Sequence, residues 1–236
     1  MSELGGTPLA NRPPLLTGSQ LGTPVWIGVT GNIACGKSAV LAILGEAGAE
    51  TIDADAVYAS LVLPGLPLLA SIAQRFGPSV VASDGGLNRR VLAGIVFSDP
   101  SALADLDRIV RPPVVAEILR RADAATSPVV AIDAIKLVES GLADRCDEVW
   151  VVTCRPETQL ARLMARNGLD RDAAWRRIAS QSAVAEKLAR ADRVIDNDGS
   201  LAETRAQVER ALGSAIAAHA ARPKGHRLEA TEQRKG

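Results

Sequence analysis

A chain of 236 residues with 47% apolar side chains is long enough to bury one sizeable core, and with aromatics at only 3% that core must be built from Ala, Val, Leu and Ile. Lys plus Arg equals Asp plus Glu at 27 each, so no overall field draws the protein to nucleic acid or an anionic membrane, and any polyanion has to be met by a local cluster. No apolar run approaches the roughly 20 residues that cross a bilayer, and three cysteines without a CxxC pairing fit a reducing cytoplasm better than a stapled secreted fold.

In chain order, residues 1 to 24 carry Glu3, Arg12 and several Pro and Gly, without the basic start and apolar block of a signal peptide, and read as a flexible leader. Val25 to Thr30 is a short apolar run, as expected of a strand buried on both faces. Val40, Ile43, Leu44 and Ala47 recur at helical spacing, predicting a helix from Ser38 that Gly48 closes. A short strand should reach Ile52 before Asp53-Ala54-Asp55. Helical patterns follow over 56 to 63, 67 to 75, 89 to 97 and 101 to 125, the last expected to kink or split at Pro112-Pro113.

Val129 to Asp133 and Glu148 to Thr153 read as buried strands, Asp192 to Asp196 as a final one. Between and after them, helices are expected over 156 to 166, 170 to 180, 183 to 189 and 201 to about 221, with a disordered tail from 222. Alternation of this kind predicts a three-layer α/β fold, about five parallel strands covered by helices on both faces, with its ligand at the carboxyl ends of the strands. Thr30, Asp53 and Asp133 stand at three such ends.

The stretch Gly31, Asn32, Ile33, Ala34, Cys35, Gly36, Lys37, Ser38, Ala39 has the frame of a phosphate-binding loop, placed after a strand and opening a helix. Glycines let backbone N–H groups turn in around an anion, and the helix N-terminus adds partial positive charge. Lys37 can reach the β- and γ-phosphates, and the Ser38 hydroxyl can ligate Mg²⁺. Asn32 tolerates turn conformations, while Ala34 and Cys35 are small enough to leave backbone donors clear. Cys35 at a helix start beside Lys37 can have a lowered pKa, although a serine-sized filler is the plainer account of it.

Asp133 ends an apolar strand, the position of a magnesium-organising acid; an N-cap or turn aspartate would look the same. Asp53 and Asp55 stand two apart, so at least one should face the crevice, and there an aspartate can take the proton of an attacking hydroxyl; a helix-capping role for one of them fits equally. From Cys154 to Arg193 nine Arg or Lys stand against five Asp or Glu. Arg162 and Arg166, four apart, share a helix face that can close over a transferring phosphoryl group or simply be solvated.

Taken together, "IGVTGNIACGKSAV", "IDADAVYASLV", "GLNRRVLAGIVFSDPSALADLDRIVRPPV", "VVAIDAIKLVESGL" and "VTCRPETQLARLMARNGLDRDAAWRRIASQ" with "EKLARADRVIDNDGS" resemble the dephospho-coenzyme A kinase family, a branch of the P-loop nucleoside-monophosphate-kinase-like fold. Gln181, Lys187, Ala191-Asp192 and Asn197 fall in the family's order and spacing. The resemblance implies a single kinase domain over 25 to 221, with ATP and Mg²⁺ as cofactors, dephospho-coenzyme A as acceptor, and neither nucleic acid nor membrane as partner. It implies a monomer whose segment 56 to 125 embraces the acceptor and whose segment 156 to 190 forms a lid.

By the same resemblance, Asp55 orients or deprotonates the ribose 3′-hydroxyl, Lys37 and Arg162 act on the transferring phosphate, and Ser38 and Asp133 serve the metal. Arg166 and Asn197 join the nucleotide loop, with Asn197 near the adenine, while Thr30, Arg111 and Lys136 join Asp55 on the acceptor side. Arg111 replaces the family's usual His before Pro112, and Ile135-Lys136-Leu137 replaces its Pro-Leu-Leu. Another small-molecule P-loop kinase, or a homologue that binds nucleotide but turns over weakly, is the competing reading; a GTP switch is disfavoured because no Asn-Lys-x-Asp stretch is present.

Overall fold

The computed structural model describes residues 23–181 and 184–222. Five parallel strands form one sheet: β1 Val25–Thr30, β2 Glu50–Asp53, β3 Val129–Asp133, β4 Glu148–Thr153 and β5 Arg193–Asp196, in the spatial order β2-β3-β1-β4-β5. The central strands bury both faces, which is why they read as continuous apolar runs. Strand alternation sorts their side chains. Val25, Ile27, Val29, Val129, Ala131, Trp150 and Val152 meet the helices α1 (Lys37–Glu46) and α9 (Leu201–Ala220) on one face. Trp26, Val130, Ile132, Val149 and Val151 meet α2 (Ala54–Leu61), α5 (Pro100–Ala124) and the segment around Leu137 and Leu142 on the other.

Two satellite cores flank this three-layer body. α3 (Pro67–Phe76) and α4 (Arg89–Ser98) pack with α2 and α5 around Ile72, Val80, Leu92 and Val96. A smaller cluster joins α6 (Pro156–Asn167) to α7 (Arg171–Ala179) through Leu160, Leu163 and Ala174, and α8 (Val184–Leu188) follows.

Element types agree with the sequence expectations, and most boundaries lie within a residue or two. The clearest difference is α5, which runs through Pro112 and Pro113 as one helix of 25 residues and is not split there. Each proline removes a backbone donor, but Leu106, Ile109 and Val110 are anchored in a satellite core and Val114, Val115, Ile118 and Leu119 against the sheet, so both halves are held on either side of the weak point. β5 starts at Arg193, because Asp192 turns its carboxylate to the Val149 N–H (2.8 Å). The expected leader and tail, and the expected helix start at Ala183, fall largely or wholly outside the described residues. Among those described, no helix is long and apolar enough to cross a membrane.

Candidate active site

β1 leads into the loop at Gly31, where an added Cβ would stand 2.5 Å from the Val152 carbonyl oxygen; only glycine lets the chain turn this close to β4. The loop then closes on itself, the Cys35 N–H donating to the Asn32 carbonyl (3.2 Å), with Ala34 at φ 61° and Gly36 at φ 87° in the left-handed region. At Gly36 a side chain would also collide with the Asn197 amide. α1 begins at Lys37 with no side-chain cap and no acidic residue in its first turn. Its leading N–H groups are thus left for an anion, and its dipole favours one. Ser38 sits exposed in that first turn.

Three carboxamides brace the loop from outside. Gln159 Nε2 donates to the Ile33 carbonyl (2.8 Å), Gln181 Oε1 accepts from the Ile33 N–H (2.7 Å), and Asn197 Nδ2 donates to the Cys35 carbonyl (2.9 Å). Asn197 is 6% exposed, and its Oδ1 accepts from the Thr204 hydroxyl at 2.8 Å. Both ends of its amide are therefore engaged within the protein, making it a brace for the loop. Ile33 and Ala34 pack against the cluster of Leu160 and Leu163, so these loop positions carry packing as well as small size. Gln159 and Thr204 carry no sequence signal that singles them out: each is one polar residue in a helix.

Lys37 Nζ is ion-paired with Asp133. Asp133 lies level with Val29 of β1 and with Asp53 of β2, so the sheet register brings the two aspartates side by side at the strand ends. Burial pushes the Asp133 carboxyl above its usual range; the Lys37 ammonium opposes the rise, and the charges of Asp53 and Asp55 reinforce it. Asp53 accepts from the Asp55 N–H (2.8 Å) and the Ala56 N–H (3.3 Å) and is the N-cap of α2. The pair divides accordingly: the first aspartate caps the helix and the second, exposed in its first turn, keeps its carboxylate clear of the cap.

Of the two arginines on α6, one reaches the loop. Arg162 Nη2 donates to the Asn197 carbonyl (2.9 Å), while its Nη1 is buried beside Gly36 without a hydrogen-bond partner among the described residues. A buried guanidinium nitrogen left over next to an empty-handed helix terminus suits an anion held between them. Arg166 is exposed and donates to Asn167 Oδ1 (3.1 Å), away from the loop. Thr30 is fully buried and its hydroxyl donates to the Ile135 carbonyl (3.1 Å), which places it in the scaffold under the site instead of on the acceptor. The two departures noted in the sequence come together: Lys136 Nζ lies 2.7 and 3.0 Å from the Asp107 carboxylate oxygens, and Arg111 3.7 Å from the same group. Glu139 stands 3.7 Å from Lys187, whose side chain is 1% exposed, linking α8 to the segment after β3.

A family model described as dephospho-CoA kinase matches residues 25–203. The chain belongs to the dephospho-CoA kinase family. Among curated relatives, a dephospho-CoA kinase of Symbiobacterium thermophilum is 50% identical over 200 residues, 84% of each chain. A solved structure from Thermus thermophilus aligns with a TM-score of 0.71 at 34% identity, over 81% of this chain and 97% of that one. A dephospho-CoA kinase from Campylobacter jejuni aligns with a TM-score of 0.53 at 26% identity, over 80% and 96%. The family is one of kinases that act on a hydroxyl acceptor and use ATP.

Proposed function

We propose that this chain transfers the γ-phosphate of ATP to the ribose 3′-hydroxyl of dephospho-coenzyme A, giving coenzyme A and ADP. The observation that carries the reading is the grouping of Lys37, Asp133 and Asp55 at the open start of α1 in a chain of this family. Gly31 to Ala39 wraps the phosphates. Lys37 exchanges the Asp133 carboxylate for β- and γ-phosphate oxygens, and the spare nitrogen of Arg162 meets the charge spread over the transferring group. Asp55, relieved of capping by Asp53, holds the acceptor hydroxyl in line and takes its proton.

The donor set suits Mg²⁺. Ser38 and Asp133 offer two hard oxygens, and among the described residues no group of three His, Cys, Asp or Glu side chains gathers as a metal site. That fits an ion that arrives with the nucleotide and keeps phosphate and water ligands, rather than a resident one. Bound there, it would neutralise charge on the phosphate oxygens. We assign segment 56–125 to the acceptor and 156–190 to a lid over the nucleotide, Arg166 entering the site only as that lid closes. Arg111 and Lys136 offer cationic groups for the acceptor's phosphates. We take the protein to act as a monomer in a reducing cytoplasm, where its three free cysteines would stay reduced.

Incubation with ATP, Mg²⁺ and dephospho-coenzyme A tests the reading. Coenzyme A should accumulate in step with ADP; turnover of a different hydroxyl acceptor without coenzyme A would end it.

A further inference from the structure

Two ion pairs at the carboxyl end of the sheet follow one plan. Lys37 rests on Asp133 beside the nucleotide loop, and Lys136, just past Asp133 in the chain, rests on Asp107. The place of Lys136 is fixed by the residues before it. The Ala134 N–H donates to the Val29 carbonyl (3.2 Å) and the Ile135 carbonyl accepts from the Thr30 hydroxyl (3.1 Å), so the chain is fastened over the end of β1 before the lysine emerges. Opposite it on α5, Asp107 holds the Lys136 ammonium with both carboxylate oxygens, at 2.7 and 3.0 Å. Arg111, one helical turn on, lies 3.7 Å from the oxygen nearer the lysine.

Two cations thus share one carboxylate and leave a net positive charge. The neighbouring acid on α5, Asp105, is taken by Arg75 and Arg108. The Asp107, Arg111 and Lys136 side chains are 35 to 57% exposed, so their pairing is weak and open to exchange. A carboxylate seated between two cations marks a place that suits a larger anion.

We propose that Asp107 stands in for the acceptor's diphosphate, occupying Lys136 and Arg111 until dephospho-coenzyme A displaces it, and so sets the affinity for the acceptor. The inference rests on the kinase reading above and deepens it. The diphosphate bridge carries two negative charges where the carboxylate carries one, which favours the exchange. The released carboxylate, already partly exposed, is taken up by water. Asp107 therefore competes with the substrate, and its removal must tighten binding. A merely structural ion pair gives the opposite sign, because its loss would loosen α5 from the segment after β3 and raise the acceptor KM.

The test compares the full-length wild type with Asp107→Asn, which keeps the side chain's shape and one acceptor oxygen. At low salt the KM for dephospho-coenzyme A should fall about three- to fivefold, on the scale of an exposed ion pair. Inhibition by the product coenzyme A, which keeps the diphosphate, should tighten by the same factor. The KM for ATP should not move, and in about 0.5 M salt the gap between the two proteins should close. An acceptor KM that is unchanged or raised overturns the proposal, as does an equal fall in the KM for ATP, an unmoved inhibition by coenzyme A, or a gap that salt does not close. Should Asp107→Asn fail to fold, Asp107→Ser is read in the same way. A wild type that makes no coenzyme A sinks the kinase reading and this inference with it, whereas normal turnover with the wrong sign at Asp107 sinks only the inference.

Discussion

The loop after β1 and the helical segment 56–125 are held by different forces. Around the loop, uncharged amides do the bracing: Gln159, Gln181 and Asn197 reach loop backbone atoms at 2.7 to 2.9 Å. Along segment 56–125 the polar contacts are charged and lie over an apolar core: Arg75 of α3 pairs with Asp105 of α5 and Lys136 with Asp107, while Arg111 with Asp107 and Arg120 and Arg121 with Glu117 pair within α5 itself. Neutral buried hydrogen bonds are indifferent to salt and costly to break; exposed ion pairs are screened and individually weak. The contrast teaches that the loop is braced by the chain itself before any ligand arrives, while the surface pairs of segment 56–125 respond to salt over an apolar core that does not.

The sharpest way to separate the two regions is Asp55→Asn, which should lower kcat by about 10² to 10⁴ and leave ATP affinity nearly unchanged; near-normal turnover would remove Asp55 from its role. Lys37→Ala should lower kcat/KM by about 10² to 10³ through lost charge stabilisation, measured under saturating Mg²⁺. Asn197→Ala strands the Cys35 carbonyl and leaves the Thr204 hydroxyl only its longer bond to the Ser200 carbonyl, and should cost about 1–3 kcal/mol of stability in denaturant titrations. Its KM should rise for ATP and not for the acceptor; the opposite split would erase the contrast drawn above. Lys136→Ala should raise the acceptor KM a few-fold at low ionic strength, with the difference fading in about 0.5 M salt as screening removes it from the wild type too.

The smallest effect concerns pH. Hydrogen bonds from Arg120 and Arg121 hold the Glu117 carboxyl at about 2, against an ordinary 4.5, and Arg121 also reaches Ser60 of α2 (3.0 Å). A depressed carboxyl stabilises the fold above its unfolded value and loses that contribution as pH falls toward the folded one. Glu117→Gln should therefore lie below the wild type in thermal melts at pH 7 and approach it as pH falls through 4 toward 2.

What could be read from the sequence follows from how local each signal is. The strands announced themselves because both faces are buried, and the loop because its glycines, lysine and serine are bound to a strand–turn–helix frame. The grouping at the strand ends also followed from the alternation of elements. The spacing of Asp53 and Asp55 alone does not say which caps α2, since either could; the hydrogen bonds from the Asp55 and Ala56 N–H groups show that Asp53 is the cap. Arg162 and Arg166 share a helix face in sequence, yet differ by which one finds the Asn197 carbonyl. Thr30 looked available at a strand end and is buried, because what lies over a strand end depends on a segment a hundred residues later. Pro112 and Pro113 misled about continuity because packing on either side outweighs two missing donors.

Asn197 has a consequence for how the molecule is made. It closes on Cys35 across 162 positions of chain, and Gln181 reaches Ile33 across 148. Contacts of such separation cannot form until nearly the whole domain has left the ribosome, and they are the slow ones to find in refolding. A nascent chain carrying Gly31 to Ala39 thus has the lysine and the serine but not the braced loop. Within this domain the loop is made early, after β1, and finished late.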